Sequence, residues 1–329
     1  MPSRAPTIRD VARRAGVGVG TVSRVLNDSP RVRPDKRARV LEAIAELGFV
    51  RNPTAHSLST GRSHAIGVIA PFFTSPSSAE RLRGVSTGVA EHGYRLLLVD
   101  VETPQQRASA FSDLAGRHAV EGVIVVSIQP SEAEIATLGC PLVLVDAAHD
   151  SLPHVAIDDV RGGALATDHL LAKGHTRIAF VGDRLPAPFS LSSSELRLRG
   201  HREALRRAGL EPREEYTRLG GHDRDEAREA AASLFSLEEP PTAVFAASDI
   251  QAVGVIEAAT ATGLRVPDDV AVIGFDDIEL AAVVGLTTVR QPLRESGRRG
   301  AELLLAAIEG AAPPPGELEP LRVVERRTT

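Results

Sequence analysis

Thr7-Ile8-Arg9-Asp10-Val11-Ala12-Arg13-Arg14-Ala15-Gly16-Val17-Gly18-Val19-Gly20-Thr21-Val22-Ser23-Arg24-Val25-Leu26-Asn27 decides how the chain begins to fold. Thr7 followed three residues later by Asp10 fits a capping box, with Thr7 as N-cap and the carboxylate reaching back. Ile8, Val11, Ala12 and Ala15 then recur at helical spacing, and Gly16-Val17 can make a tight turn. The pattern predicts a second helix over Val19–Leu26, with Val22, Val25 and Leu26 inward and Thr21, Ser23, Arg24 and Asn27 outward. Asp28-Ser29-Pro30 ends it. A third helix is expected from Pro34, where a missing N–H costs nothing at a first turn. It should bury Val40, Leu41, Ile44 and Leu47 and stop at Gly48. Three helices in so short a span, with a glycine turn between the first two, predict a helix-turn-helix whose second helix enters the major groove.

Charge points the same way. The 329-residue chain has a formal net charge of −5. Residues 1–62 hold twelve basic side chains against Asp10, Asp28, Asp35, Glu42 and Glu46, a local charge of +7, which leaves the rest at −12. A basic head on an acidic body predicts that the head meets a polyanion and the body does not. Arginine abundance alone carries little weight, because Lys36 and Lys173 are the only lysines.

The length suggests two domains, or a small one plus a large one. Composition is that of an ordinary globular protein, 43% apolar and 25% charged. No apolar run is long enough for a membrane span, and the first residues lack the apolar core of a signal peptide. Cys140, the single cysteine, excludes an internal disulfide framework and a cysteine-rich zinc site. The expectation is a cytoplasmic protein with no membrane partner, no cofactor and no metal.

Residues 7–62 resemble the DNA-binding head of the LacI/GalR family of bacterial transcription regulators. The matching stretches are Asp10-Val11-Ala12, Ala15-Gly16-Val17, Thr21 to Asn27, and Ala43-Ile44-Ala45-Glu46-Leu47-Gly48-Phe49. The resemblance implies base reading by Val19, Gly20 and Arg24, and phosphate contacts by Thr21, Ser23 and Asn27, with Thr7 at the same surface. Arg24 can donate bidentately to guanine, worth about 1–3 kcal/mol of discrimination; its alternative role is a surface salt bridge. Hydroxyls and amides suit phosphate oxygens, which position without specifying. Gly18 stands where serine commonly caps the helix, and Gly20 offers no side chain to a base edge. Arg51 to Arg62 resembles the family's hinge helix, which forms on DNA. There His56 would face the minor groove and Leu58 would wedge between base pairs.

From Ala65 short apolar runs alternate with amphipathic segments. The runs are residues 66–70, 96–99, 122–126, 142–145, 178–181, 243–246 and 270–275. Helices are expected near 79–92, 104–116, 160–173, 195–208, 224–235, 249–262 and 293–309. Such alternation predicts parallel sheets covered on both faces. Breaks near Asp158 and Gln291 split the runs into two α/β lobes with a cleft at the strand ends. Leu321 to Glu325 suits a closing strand. The family resemblance continues to about residue 309, through Arg197-Leu198-Arg199-Gly200, Ser248-Asp249 and Gly274-Phe275-Asp276-Asp277, and implies the fold of periplasmic sugar-binding proteins. It carries the family's effector positions onto Ser75, Ser77, Ser78, Asp146, Arg197, His222, Ser248, Asp276 and Gln291. Arg197 and Asp276, on opposite lobes or strand ends, would grip hydroxyls or a charged group. Ser77, Ser78 and His222 stand where members often carry aromatics, and Ser248 replaces a frequent asparagine, so Phe72, Phe73, Phe189 and Phe275 are candidate substitutes.

Enzyme motifs fail on context. Gly84-Val85-Ser86-Thr87-Gly88 matches a nucleophile elbow, which needs a strand immediately before the serine. Here Leu82, Val85 and Val89 keep helical spacing, so Ser86 is expected in mid-helix. Asp158-Asp159, Asp268-Asp269 and Asp276-Asp277 are read as helix caps and strand boundaries. The sequence therefore predicts a homodimeric DNA-binding regulator, a repressor in sign. It would comprise a helix-turn-helix domain (1–50), a hinge (51–63) and an effector-binding and dimerisation body (64–329). A sugar or related metabolite between the lobes would control its affinity for double-stranded operator DNA. The rivals are a transport-type sugar-binding protein and a hydrolase using Ser86.

Overall fold

A computed structural model describes residues 6–49, 63–116, 119–183, 192–313 and 315–329. The chain divides into two compact units, Met1–Ser63 and His64–Thr329. The first holds α1 (Ile8–Ala15), α2 (Val19–Leu26) and α3 (Pro34–Leu47). Thr7 is held by Asp10, whose carboxylate accepts from the Thr7 backbone N–H at 2.9 Å and from its hydroxyl at 2.6 Å. Gly16 takes the left-handed conformation (φ 62°) that closes the turn between α1 and α2. Val11, Ala12, Ala15, Val22, Val25, Val40 and Ala43 form the core. Leu41 departs from expectation and is 52% exposed. Val40, Ala43, Ile44 and Leu47 share one face of α3, and Leu41 lies about 100° around the helix from Val40.

The second unit is two α/β lobes. In lobe one, β1 (Ala65–Ala70), α4 (Pro76–Ala90), β2 (Arg95–Asp100), α5 (Pro104–Leu114), β3 (Gly122–Val126), α6 (Glu132–Leu138), β4 (Leu142–Val145) and β5 (His154–Val155) follow in sequence. Their sheet is parallel throughout, in the order β2-β1-β3-β4-β5. Lobe two contains α7 (Asp159–Ala172), β6 (Ile178–Asp183), α8 (Ser192–Arg207), a short 3-10 turn and then β7 (Thr217–Gly220). It continues through α9 (Arg224–Phe235), β8 (Ala243–Ala246), α10 (Asp249–Ala261), β9 (Ala271–Asp276), α11 (Glu279–Val284) and β10 (Thr287–Arg290). Its sheet runs β11-β10-β9-β8-β6-β7, where β11 is Arg322–Val324, the one antiparallel member among the described strands.

The helix α12 (Leu293–Glu309) returns to lobe one. Its Ala301 and Leu304 join the lobe-one core with Val85, Val89 and Val143. Close packing of α4 on α12 requires glycine. A Cβ at Gly84 would lie 1.9 Å from the Arg294 carbonyl oxygen, and one at Gly297 would lie 2.0 Å from that of Arg81. The chain therefore crosses between lobes at the two breaks the sequence suggested, and a third time before β11. Sequence patterning missed β5, β7, β10, α6 and α11, all short or partly polar. It also expected every strand to be covered on both faces. The edge strand β2 instead leaves Leu97 and Leu98 exposed.

Candidate DNA-reading surface and effector cleft

On α2 the inward set is as patterned: Val22 and Val25 are buried and Leu26 is half-buried. Val19, Gly20, Arg24 and Asn27 are exposed, while Thr21 and Ser23 are half-buried. Five of the six residues expected to read DNA lie on α2 and Asn27 is its C-cap; Thr7 lies at the N-cap of α1. A Cβ at Gly20 would meet open space, consistent with that outward position. Nearby arginines are tied down, Arg13 to Asp10 at 3.0 Å, Arg14 to Glu46 at 2.6 Å and Arg37 to Asp28 at 2.6 Å. Arg24 is paired with no carboxylate among the described residues, so the salt-bridge alternative does not form. His56 and Leu58 lie outside the described residues.

The cleft in the body is built at the carboxyl ends of strands. Lobe one reverses strand order between β1 and β3, and lobe two between β6 and β8, the places where open α/β sheets leave a crevice. Phe72 follows β1, Ser127 follows β3, Asp146 follows β4, Asp276 ends β9 and Asp277 follows it. All five have positive φ, between 47° and 119°. For side-chain-bearing residues this conformation costs on the order of 1–3 kcal/mol each and clusters where geometry serves a site.

Eight of the nine effector positions line one chamber: Ser75, Ser77, Ser78, Asp146, Arg197, His222, Asp276 and Gln291. Ser248 does not; it caps α10 and lines an adjoining chamber with Ser75, Ser77, His222 and Asp276. Ser75 likewise caps α4, accepting from the Ser78 N–H. Two expectations need correction. Of the two placements left open for Arg197 and Asp276, opposite lobes is not met: both belong to lobe two, Arg197 on α8 and Asp276 at the end of strand β9. Of the candidate aromatics, Phe73 packs in the lobe-one core, Phe275 is fully buried, and Phe189 lies outside the described residues. Of the three described, Phe72 lines the chamber.

Arg81, which the sequence reading missed, is the hub. Its Nη2 donates to Asp146 Oδ1 at 2.6 Å and to Gln291 Oε1 at 2.9 Å. Ser127 donates to the other Asp146 oxygen at 2.7 Å, and Gln291 Nε2 to Asp276 at 2.5 Å. The chain Ser127–Asp146–Arg81–Gln291–Asp276 therefore joins lobe one to lobe two. Arg81 Nε is buried with no acceptor. Arg197, also buried, donates to Asp159 at 2.8 Å and to the Ala247 carbonyl at 2.6 Å, and its guanidinium lies 3.7 Å over the Phe275 ring. Asp159 was expected only as a cap; burial pushes its carboxyl up to about 6 against the pull of Arg197. Burial also raises Asp276, with Arg197 and Arg81 opposing. His222 Nδ1 sits 3.2 Å from Asp183, and its ring stacks on Phe72 at 6.3 Å. Burial pushes the His222 pKa down, but the Asp183 hydrogen bond and charge outweigh it, and the net shift is upward. Arg81 carries no distinctive motif, since only the three-dimensional meeting of α4 with β4 and residue 291 reveals it.

Ser86, the alternative nucleophile, is exposed in the middle of α4, and its flanking Gly84 and Gly88 serve the contact with α12. Among the described residues no group of histidine, cysteine, aspartate or glutamate is disposed to hold a metal, and no helix is long and apolar enough to cross a membrane.

Residues 7–52 match bacterial regulatory proteins of the lacI family, and residues 167–329 match a periplasmic binding protein-like domain. The chain is 36% identical over 310 residues to the ribose operon repressor of Escherichia coli (strain K12), covering 92% of this chain and 93% of that one. The Lac repressor dimer bound to operator and the anti-inducer ONPF aligns with a TM-score of 0.86 at 28% identity, over 99% of both chains. A complex of the transcriptional regulator CelR with cellobiose aligns at 0.72 and 33% identity, over 98% of this chain and 100% of that one. Fold and surfaces together define a DNA-binding transcriptional regulator with an effector-binding body, not an enzyme. The chain belongs to the lacI family of bacterial regulatory proteins.

Proposed function

We propose that this chain represses transcription as a cytoplasmic homodimer, with residues 1–50 reading operator DNA and residues 51–63 acting as the hinge. Residues 64–329 bind the effector and the second subunit. Val19, Gly20 and Arg24 meet bases, Thr7, Thr21, Ser23 and Asn27 meet the backbone, and His56 and Leu58 enter the minor groove. Exposed Leu97 and Leu98 on β2, with Val283 on α11, support a dimer surface in the body.

The observation that carries the effector reading is the hydrogen-bonded chain through Arg81, which spans the lobes and is lined by the predicted effector positions. A sugar or related metabolite bound there replaces some of these bonds and stabilises one lobe orientation over another. Only that difference in affinity shifts the equilibrium, and coupling of about 1–3 kcal/mol is typical. Lobe orientation reaches DNA through the hinge. The test is a gel shift on DNA selected from a random pool by the full-length protein, repeated with each compound that raises its melting temperature. A stabilising compound should change operator affinity roughly 5–150-fold. Stabilisation with unchanged affinity would remove the effector from the mechanism.

A further inference from the structure

The tip of α2 presents a single side chain. Gly18, Val19 and Gly20 follow one another without a side-chain hydrogen-bonding group, and all three are exposed. The next hydroxyl, that of Thr21, is half-buried. Val17 packs against the core of the head, whereas Val19 turns outward and is 42% exposed. Among the described residues, Val19 and Leu41 are the exposed large apolar side chains of the head, and Leu41 belongs to α3.

The fold has no need of the flanking glycines. Gly18 is the N-cap at φ −74° and ψ 152°, a conformation open to any residue, and Gly20 lies inside the helix. A Cβ at either position would meet nothing within 4 Å. Glycine is a poor residue inside a helix, and a serine or aspartate at residue 18 would supply the side-chain cap that α2 lacks. Local stability is thus given up at both positions, and what the glycines provide is clearance outside the protein. They leave Val19 as a lone apolar knob on the end of the helix that enters the major groove.

Base edges in that groove are told apart by donors, acceptors and one apolar group, the C5-methyl of thymine. Side chains at residues 18–20 can answer none of the polar groups. Val19 can answer the methyl, because burying apolar surface is non-directional. Cytosine at the same place offers a bare C5 edge and an amino group that no side chain of the tip can meet. We propose that Val19 selects a methyl group at C5 of an operator pyrimidine, and that the tip distinguishes nothing else at that base pair. This rests on the reading of α2 as the base-contacting helix and deepens it. Methylated cytosine should then serve in place of thymine.

The test uses the full-length protein and the DNA it selects from a random pool. Each thymine of the selected half-site is replaced in turn by deoxyuridine, which removes the methyl and preserves the pairing. At one thymine the affinity in a gel shift should fall about fourfold per half-site, the equivalent of about 0.8 kcal/mol for one buried methyl. Cytosine paired with guanine at that position should weaken binding at least as much, and 5-methylcytosine should restore it to within about twofold of thymine. In Val19→Ser, which removes both valine methyls from an exposed position, thymine and deoxyuridine there should bind within about twofold of each other. Deoxyuridine equal to thymine at every position would overturn the proposal. So would 5-methylcytosine no better than cytosine, or a methyl effect undiminished in Val19→Ser. In any of these cases a loss of affinity in Arg24→Ala would keep α2 as the reading helix, and unchanged affinity there would remove that reading as well.

Discussion

Arginine is handled in opposite ways on the exposed face of α2 and in the cleft of the body. Arg24 stands exposed with no carboxylate partner among the described residues, whereas Arg81 and Arg197 are buried and each is held by an aspartate within 3 Å. An unmatched surface cation is cheap in water and gains most when a polyanion arrives and counterions leave. A buried cation survives only with its charge answered, and then it fixes hydrogen bonds without projecting a net field. The difference teaches that the two surfaces are prepared for different partners. One is left open for a charged duplex, and the other is neutralised in advance for a small molecule recognised by geometry.

Breaking the matched pair should have the largest effect. Arg197→Met would leave the Asp159 carboxylate without its cation and the Ala247 carbonyl without its donor. Removal of one partner of a buried ion pair costs about 3–5 kcal/mol. Urea unfolding of the body should show that loss as a lower midpoint, and adding Asp159→Asn in the same chain should recover part of it. A single variant as stable as the wild type would mean that the pair is not holding α8 against α7.

The unmatched arginine should behave in the reverse manner. Arg24→Ala should leave thermal stability unchanged, because the side chain is exposed and unpaired. It should weaken binding to selected operator DNA by about 1–3 kcal/mol, roughly 5–150-fold, through loss of bidentate base contacts. Unchanged affinity would move base reading elsewhere on α2. Lower stability with unchanged affinity would make Arg24 a structural residue and erase the contrast.

How much of this was legible in the sequence follows from how local each feature is. The bounds of α2 and α12, and the cap at Thr7, depend on neighbours within a turn or two, and the pattern specified them. The lobes were legible because strands buried on both faces must be continuous apolar runs. β7 and β10 escaped because Thr217-Arg218-Leu219-Gly220 and Thr287-Thr288-Val289-Arg290 mix polar and apolar side chains, and sheet pairing settles their conformation. The cleft was legible as positions and not as a network. Arg81 and Gln291 lie 210 residues apart, and Arg197 and Asp159 lie 38 apart, so no spacing rule connects them. The same distance left open whether Arg197 and Asp276 lie on opposite lobes or at strand ends of one.

His222 offers the finest test of the contrast, since its charge is matched by Asp183 yet can be switched off. Its folded pKa is raised, so protonation favours the native state. The stability it contributes is fully present below the ordinary imidazole pKa of about 6.5 and is lost as pH rises through the higher folded value. His201 acts oppositely. Burial between Phe180 and Phe245 depresses it to about 3, so stability from keeping it neutral is present above the ordinary imidazole pKa and is lost as pH falls. The groups facing His222 are Asp183, Asp276 and Arg197, and the first two carboxylates outweigh the arginine. The wild-type profile should therefore climb toward neutrality and then decline, with His222 contributing to the decline alongside the raised carboxyls of Asp276 and Asp249. In His222→Gln the climb should persist and the decline should flatten, as read by body melting temperatures from pH 6 to 8.5. A decline that survives unchanged in the variant would show that Asp183 does not hold a charged imidazole against Phe72, and the cleft would then be matched by its two arginines alone.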